Sequence, residues 1–200
     1  LNGIIPATAG NYKCPFMGNS SRYITLNVTK DSLISIRLAT DSANIPVRIV
    51  SGDSVYDFTT TSTSLTTTTT YYAGANTMTI YGDVKDFRCN ANKTKITGID
   101  VSKNTALTYL SCYTNQLTSL DLSSCTALTY LSCFTNQLTS LDLSSCTSLT
   151  YFYCYDNQLT SLDVSKNTAL TNLHCYSNQL TSLNVSGCTA LTELRCSSNQ

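Results

Sequence analysis

The chain has no tryptophan, one histidine and little charge, with 12 Lys and Arg against 12 Asp and Glu in 200 residues. So sparse and balanced a charge leaves no basic field to hold nucleic acid or an anionic membrane surface, and neither is expected as a partner. No apolar run approaches the roughly 20 residues that a membrane-crossing helix needs, so no membrane insertion is expected. The first residues, Leu1 to Gly10, have neither the basic start nor the apolar stretch of an export signal, and the chain reads as a mature form from which any signal is absent. The cysteines lack the close paired spacing, or the accompanying histidines, that zinc requires, so no metal is expected. A hydrolytic site needs a nucleophile and an ordered base within reach of each other, and the lone His174 has no such setting. No cofactor and no catalytic activity are expected.

What the chain does contain changes character near residue 83, from a Thr-rich first part to a second part periodic in Leu, Cys and Asn. Two modules are expected, 1–83 and 84–200. From Leu107 the sequence repeats every 21 residues, with blocks starting at Leu107, Leu128, Leu149, Leu170 and Leu191. A degenerate earlier copy runs from Val84 through Phe87, Cys89 and Asn92 to Ile96, Ile99 and Val101, with two extra residues after its Asn. Leu107 to Leu117 fits the spacing Leu-x-x-Leu-x-Leu-x-x-Asn-x-Leu, with Cys112 in the third apolar place, and this is the pattern of a leucine-rich repeat. The expected fold is mainly β, a solenoid of five coils and a partial sixth with one short parallel strand per coil. A small antiparallel β-sandwich cap precedes it. About ten residues are left for the opposite wall, too few for a regular helix, so turns and extended chain are expected there.

Each repeated column then has a structural reading. Asn92, Asn115, Asn136, Asn157, Asn178 and Asn199 turn inward, where a side-chain amide can satisfy backbone groups at the bend. Cys89, Cys112, Cys133, Cys154, Cys175 and Cys196 act as small apolar residues in a buried column. Neighbours there sit at strand spacing, too far apart for a relaxed disulfide, so free thiols are expected. Cys125, Cys146 and Cys188 share a turn column with Asn104 and Asn167, where a thiol imitates a polar turn group. Asp100, Asp121, Asp142 and Asp163 each precede a Ser by two and fold back onto the turn backbone.

Stretches such as LDLSSCTALTYLSCFTNQ and LDVSKNTALTNLHCYSNQ resemble the leucine-rich surface proteins of gut-dwelling Gram-negative bacteria and, more distantly, the internalins. The resemblance covers residues 84–200. It implies an extracellular or cell-surface location and a binding role, without naming a partner.

In the first module, Ile24, Leu26 and Val28, then Ile34, Ile36 and Leu38, then Met78 and Ile80 alternate with polar residues, the period of half-buried strands. Ser51-Gly52-Asp53 reads as a hairpin connection, and Thr66 to Thr70 as a solvent-facing strand. The module is expected to cover the first coil of the solenoid. Asp31-Ser32-Leu33, Asp41-Ser42-Ala43 and Asp53-Ser54-Val55 resemble O-glycosylation sites of envelope proteins from gut bacteria, and also suit plain turns. At the other end the sixth unit stops at Gln200 without a returning half-coil, so the natural chain is expected to continue, or two chains to associate through that end.

The outward face of the repeat sheet is the candidate site. Tyr109, Tyr130 and Tyr151 form one column, Tyr113, Phe134, Tyr155 and Tyr176 another, and Tyr153, His174 and Arg195 lie between them. The scaffold positions hardly change from coil to coil, whereas these do, and Tyr supplies contact area at small entropic cost. Aromatic ladders also stabilise a sheet, which is the competing reading. The centre is expected at Tyr130, Phe134, Tyr151, Tyr153 and Tyr155. A protein or peptide ligand is expected, with a glycan as the alternative. Lack of Trp, the commonest sugar platform, favours the former.

Overall fold

The computed structural model describes residues 16–61 and 63–200. Leu1 to Gly10, and with them the start of the expected 1–83 module, lie outside the described residues.

Alternation of apolar and polar residues yields six strands before residue 83: β1 (Tyr23–Val28), β2 (Leu33–Thr40), β3 (Pro46–Ser51), β4 (Ser54–Thr59), β5 (Thr69–Tyr72) and β6 (Thr77–Tyr81). Ile24, Leu26, Ile34, Leu38, Ile49, Met78 and Ile80 are all buried, so the alternation identifies the core face. The β3–β4 hairpin closes at Ser51↔Ser54 as expected, with Gly52 at φ +60, a backbone conformation that glycine adopts without strain. The Thr run differs from its expectation. The strand occupies Thr69–Tyr72, because Tyr71 is the side chain that enters the core. Thr66 instead closes on β2 singly, its amide on the Leu38 carbonyl and its Oγ1 accepting the Leu38 amide. The three Asp-Ser stretches fall in turns or at the start of β4. Asp31 adopts φ +61, and Ser54 is buried at its hairpin.

The solenoid begins with β7 (Val84–Arg88) and β8 (Ile96–Asp100), and continues through β9 (Tyr109–Ser111), β10 (Tyr130–Ser132), β11 (Tyr151–Tyr153), β12 (Ser161–Asp163), β13 (Asn172–His174), β14 (Ser182–Asn184) and β15 (Glu193–Arg195). Strands β7, β9, β10, β11, β13 and β15 pair in parallel, in register with the repeat: Leu110↔Leu131, Leu131↔Phe152, Phe152↔Leu173 and Leu173↔Leu194. The opposite wall is turns and short extended pieces, with β12 beside β14 and an isolated bridge Asp100↔Asp121.

Both sheets run across residue 83. Strand β2 pairs antiparallel with β7 (Leu38↔Phe87), so the repeat sheet extends through β2 to β5. Strand β1 pairs antiparallel with β8 (Leu26↔Ile99), so the sheet β4-β3-β6-β1 joins the opposite wall. A single apolar cluster, from Ile24 to Cys188, lies between them. Each fully buried Leu or Ile contributes about 1.5–3 kcal/mol of transfer free energy, and an interior coil supplies Leu128, Leu131, Leu138 and Leu143.

Polar ladders close each coil. Asn136 donates from Nδ2 to the carbonyls of Cys112 (3.1 Å) and Cys133 (3.0 Å), while its Oδ1 accepts the Leu117 amide at 3.0 Å. Asn157 and Asn178 repeat the arrangement. At Asn115 the extra residues after Asn92 displace the matching amide, and its Oδ1 has no partner. A second ladder was not foreseen from the sequence: Thr129, Thr150, Thr171 and Thr192 each donate from Oγ1 to the Thr carbonyl one coil earlier, at 3.0–3.1 Å. The Asp column behaves as expected, with the amides of Ser102, Ser123, Ser144 and Ser165 donating to Asp100, Asp121, Asp142 and Asp163 at 2.8–2.9 Å.

The nine described cysteines are free. Cys89, Cys112, Cys133, Cys154 and Cys175 fill the core column as expected, but Cys196 is exposed, because residues 197–200 do not return over it. In the turn column the thiol does imitate the amide. Asn167 Nδ2 donates to the Leu143 carbonyl at 3.1 Å, and Cys188 Sγ makes the equivalent contact with Val164, also at 3.1 Å. Among the described residues no helix is long and apolar enough to cross a membrane.

Candidate functional site

The period of two that sends Leu110, Leu131 and Phe152 inward sends their neighbours outward, and the 21-residue repeat stacks those neighbours into columns. Tyr109, Tyr130 and Tyr151 open their strands. Tyr109 and Tyr130 stack with centroids 3.9 Å apart and planes 5° from parallel. Tyr151 breaks the series, tilted 38° from Tyr130 at 6.1 Å, and is 43% exposed. Beyond the strand ends, Tyr113, Phe134, Tyr155 and Tyr176 form one continuous file at 4.2–4.4 Å, within 11° of parallel.

The middle column is uneven. Ser111 and Ser132 lie low between the two files, buried to 3% and 1% exposure, and Ser132 Oγ has no hydrogen-bond partner. Tyr153 follows Ser132 in register, yet its ring reaches back to stand edge-on to Tyr130 at 5.7 Å, and its other side meets His174 at 4.7 Å. Next, Glu193 gathers three donors: His174 Nε2 at 3.0 Å, Asn172 Nδ2 at 2.7 Å and the Arg195 guanidinium at 2.7 Å. Those bonds, His174 first, hold the Glu193 carboxyl below its usual range. At the opposite border Arg88 grips Asp86 through two nitrogens at 2.8 and 2.9 Å and places its guanidinium 4.0 Å from the Tyr109 ring centre, a cation–π contact. Burial, then the neighbouring Tyr130, raises the Tyr109 phenol, and burial, then Tyr176, pushes Tyr155 up to about 12. These phenols stay protonated at any physiological pH.

All ten residues singled out from the sequence, Tyr109, Tyr113, Tyr130, Phe134, Tyr151, Tyr153, Tyr155, His174, Tyr176 and Arg195, fall on this one face. His174 and Arg195 are tied to Glu193 at its border. The sequence reading missed Asp86 and Arg88, because the two extra residues of the first coil shift them out of a 21-residue count: Asp86 pairs with Tyr109 and Arg88 with Ser111. It also missed Ser111 and Ser132, whose signal was their small size between large neighbours. Among the described residues no group of three or more metal-ligating side chains occurs.

Residues 126–167 match the family described as Leucine Rich repeats (2 copies). Among solved structures, the functional domain of InlJ from Listeria monocytogenes, whose description includes a cysteine ladder, matches with a TM-score of 0.54 and 42% sequence identity over 56% of this chain and 24% of that one. The chain thus spans about a quarter of the length of that structure. No curated protein matches. Repeat spacing, parallel register and these likenesses agree that the chain carries a leucine-rich repeat solenoid of internalin-like type.

Proposed function

We propose that the aromatic face of the repeat sheet is a recognition or adhesion surface for a protein or peptide, acting without catalysis on a chain exported to the cell surface. Tyr151 carries the reading. The file at 4.2–4.4 Å is what sheet stability alone would select, but Tyr151 leaves its stack, tilted 38° from Tyr130 at 6.1 Å, and stands 43% exposed. A large ring presented in this way costs solvation and suits contact with a partner. The internalin-like fold supports the same reading, since leucine-rich repeats serve as interaction scaffolds.

Panning the folded chain against a displayed random-peptide library, beside a glycan array, tests the proposal. Peptides should be enriched, and Tyr151→Ala should lose them with the melting temperature nearly unchanged. Tyr155→Ala, inside the continuous file, should lose both binding and about 1 kcal/mol of stability. Hits confined to the glycan array would replace the peptide with a sugar, and no hits on either would sink the surface as a recognition site.

A further inference from the structure

The aromatic face holds its tyrosine pairs in two different relations. Tyr109 and Tyr130, like Tyr155 and Tyr176, sit one coil apart and lie face to face, with centroids at 3.9 and 4.4 Å. Tyr130 and Tyr153 stand otherwise. Tyr130 is in register with Tyr151 and Ser132 with Tyr153, so Tyr153 lies diagonally across from Tyr130, two residues further along the next strand. Its ring meets Tyr130 edge-on, with centroids 5.7 Å apart and planes at 71°. Both side chains are half-buried, so water and small solutes reach them.

We propose that Tyr130 and Tyr153 are a site of oxidative cross-linking, at which a haem peroxidase using hydrogen peroxide joins them into a dityrosine that staples β10 to β11. The site does not depend on what the face binds. Each phenol gives one electron to the oxidant and its hydroxyl proton to water, leaving a phenoxyl radical with spin on the ring carbons ortho to oxygen. The two radicals pair their electrons in one carbon–carbon bond between ortho carbons, and the hydrogen of each of those carbons returns through water to the phenol oxygen. Both rings are aromatic again. The two electrons and two protons that have left the pair convert one hydrogen peroxide into two waters.

Geometry selects the pair. A bond between ortho carbons joins two rings edge to edge, so it needs side chains set well apart. In-register neighbours stand about 4.8 Å apart, which keeps their rings face to face, whereas a residue two further along the next strand stands about 8 Å away. Tyr130 and Tyr153 combine that reach with ring contact and access to solvent. Tyr56 and Tyr71 also meet edge-on, at 5.1 Å, but they are 2% and 4% exposed in the core, where an oxidant does not reach. Tyr23 and Tyr81 are in register. In the other file Phe134, without a hydroxyl to oxidise, separates Tyr113 from Tyr155. Linking residues 130 and 153 closes the loop between them, which removes freedom from the unfolded chain and holds two coils together.

The test treats the folded chain with a haem peroxidase and hydrogen peroxide, isolates the monomer and cleaves it before aspartate, which separates residues 121–141 from 142–155. The monomer should gain dityrosine fluorescence, and the two fragments should appear joined, with the mass of their sum less two hydrogens. Tyr130→Phe and Tyr153→Phe, which keep the rings, should each abolish the link, whereas Tyr109→Phe and Tyr151→Phe should keep it. Sequencing the joined fragments by mass spectrometry places the bond independently of the variants. In urea the same treatment should yield at least about tenfold less of the link, because proximity is lost. The linked chain should show a higher denaturation midpoint than the parent. The proposal is overturned if the monomer carries no link, if the bond joins other tyrosines, if it survives either Tyr130→Phe or Tyr153→Phe, or if it forms as readily in urea. An unchanged denaturation midpoint would overturn the staple.

Discussion

The side-chain amide of Asn92 and the backbone of Ser35 bond each other in both directions: Oδ1 accepts the Ser35 amide at 2.8 Å and Nδ2 donates to the Ser35 carbonyl at 2.9 Å. Inside the solenoid the same two bonds go to the preceding coil, as Asn136 shows with Leu117 and Cys112. Strand β2 therefore stands where a preceding coil would stand. Asn92→Ala would take this partner from the Ser35 amide and carbonyl, while the Cys89 carbonyl keeps Asn115 Nδ2 at 3.1 Å. Chemical denaturation should show a loss of about 2–4 kcal/mol. A change within experimental error would mean that water replaces these bonds freely and that the joint is not sealed there.

Asn167 and the cysteines of its column make a second comparison. Asn167 donates twice, to Leu143 and Cys146, but its Oδ1 is buried without a partner. A thiol donates more weakly and brings no orphaned acceptor. Asn167→Cys should therefore stay within about 1 kcal/mol of the parent, and Asn167→Ala, which leaves the Leu143 and Cys146 carbonyls with only the backbone amides of Cys146 and Leu149, should cost about 2 kcal/mol. Equal losses for the two variants would show that the thiol of Cys188 serves packing alone.

Backbone strain is stored just before each Asn. Thr114, Thr135, Asp156 and Ser177 hold φ between 52 and 54, and β-branched Thr tolerates this left-handed region least. Asn adopts it readily. Replacing exposed Thr135 by Asn should stabilise the chain by about 0.5–1 kcal/mol, read as a higher denaturation midpoint at unchanged slope. A destabilised variant would place the cause in a contact of the Thr135 side chain rather than in its backbone.

Stability should be greatest between two pH limits. Asp121, Asp142 and Asp163 accept backbone bonds from Ser123, Ser144 and Ser165, which lower their pKa values, so their contribution is present above about pH 3.9 and is lost as pH falls through their folded values. Burial pushes Cys112 and Tyr71 up to about 12. An unfolded thiol ionises near pH 8.5, so the stability conferred by the neutral buried thiol is complete below about that value and declines towards the folded one. Melting temperatures across pH should show both flanks, and a flat alkaline limb up to pH 11 would contradict the buried column. Of the nine described cysteines, native labelling should reach Cys196, with the other eight reacting only after unfolding.

Much of the architecture was legible because a repeat multiplies a weak signal. One Leu-x-x-Leu means little, but the same words from Leu107 to Leu191 in constant register define the strand, its inward column and the outward aromatic face. Asn136 and Asp142 were readable for the same reason, since their partners lie at fixed offsets along the chain. What tertiary structure alone decided rests on pairings without a period. Nothing in the order of residues says that Leu38 meets Phe87, or Leu26 meets Ile99, yet those registers carry both sheets across residue 83. Asp86 reaches the aromatic face through such a register, two residues out of step with the repeat. Ring orientation was decided the same way: Tyr130 and Tyr151 occupy one column, but the first is stacked on Tyr109 and the second is tilted out of the stack, where Tyr153, present where earlier coils have serine, stands edge-on to Tyr130. Periodicity assigns each side chain to a face, whereas its contacts there depend on the volume of neighbours that the chain brings from the coils on either side.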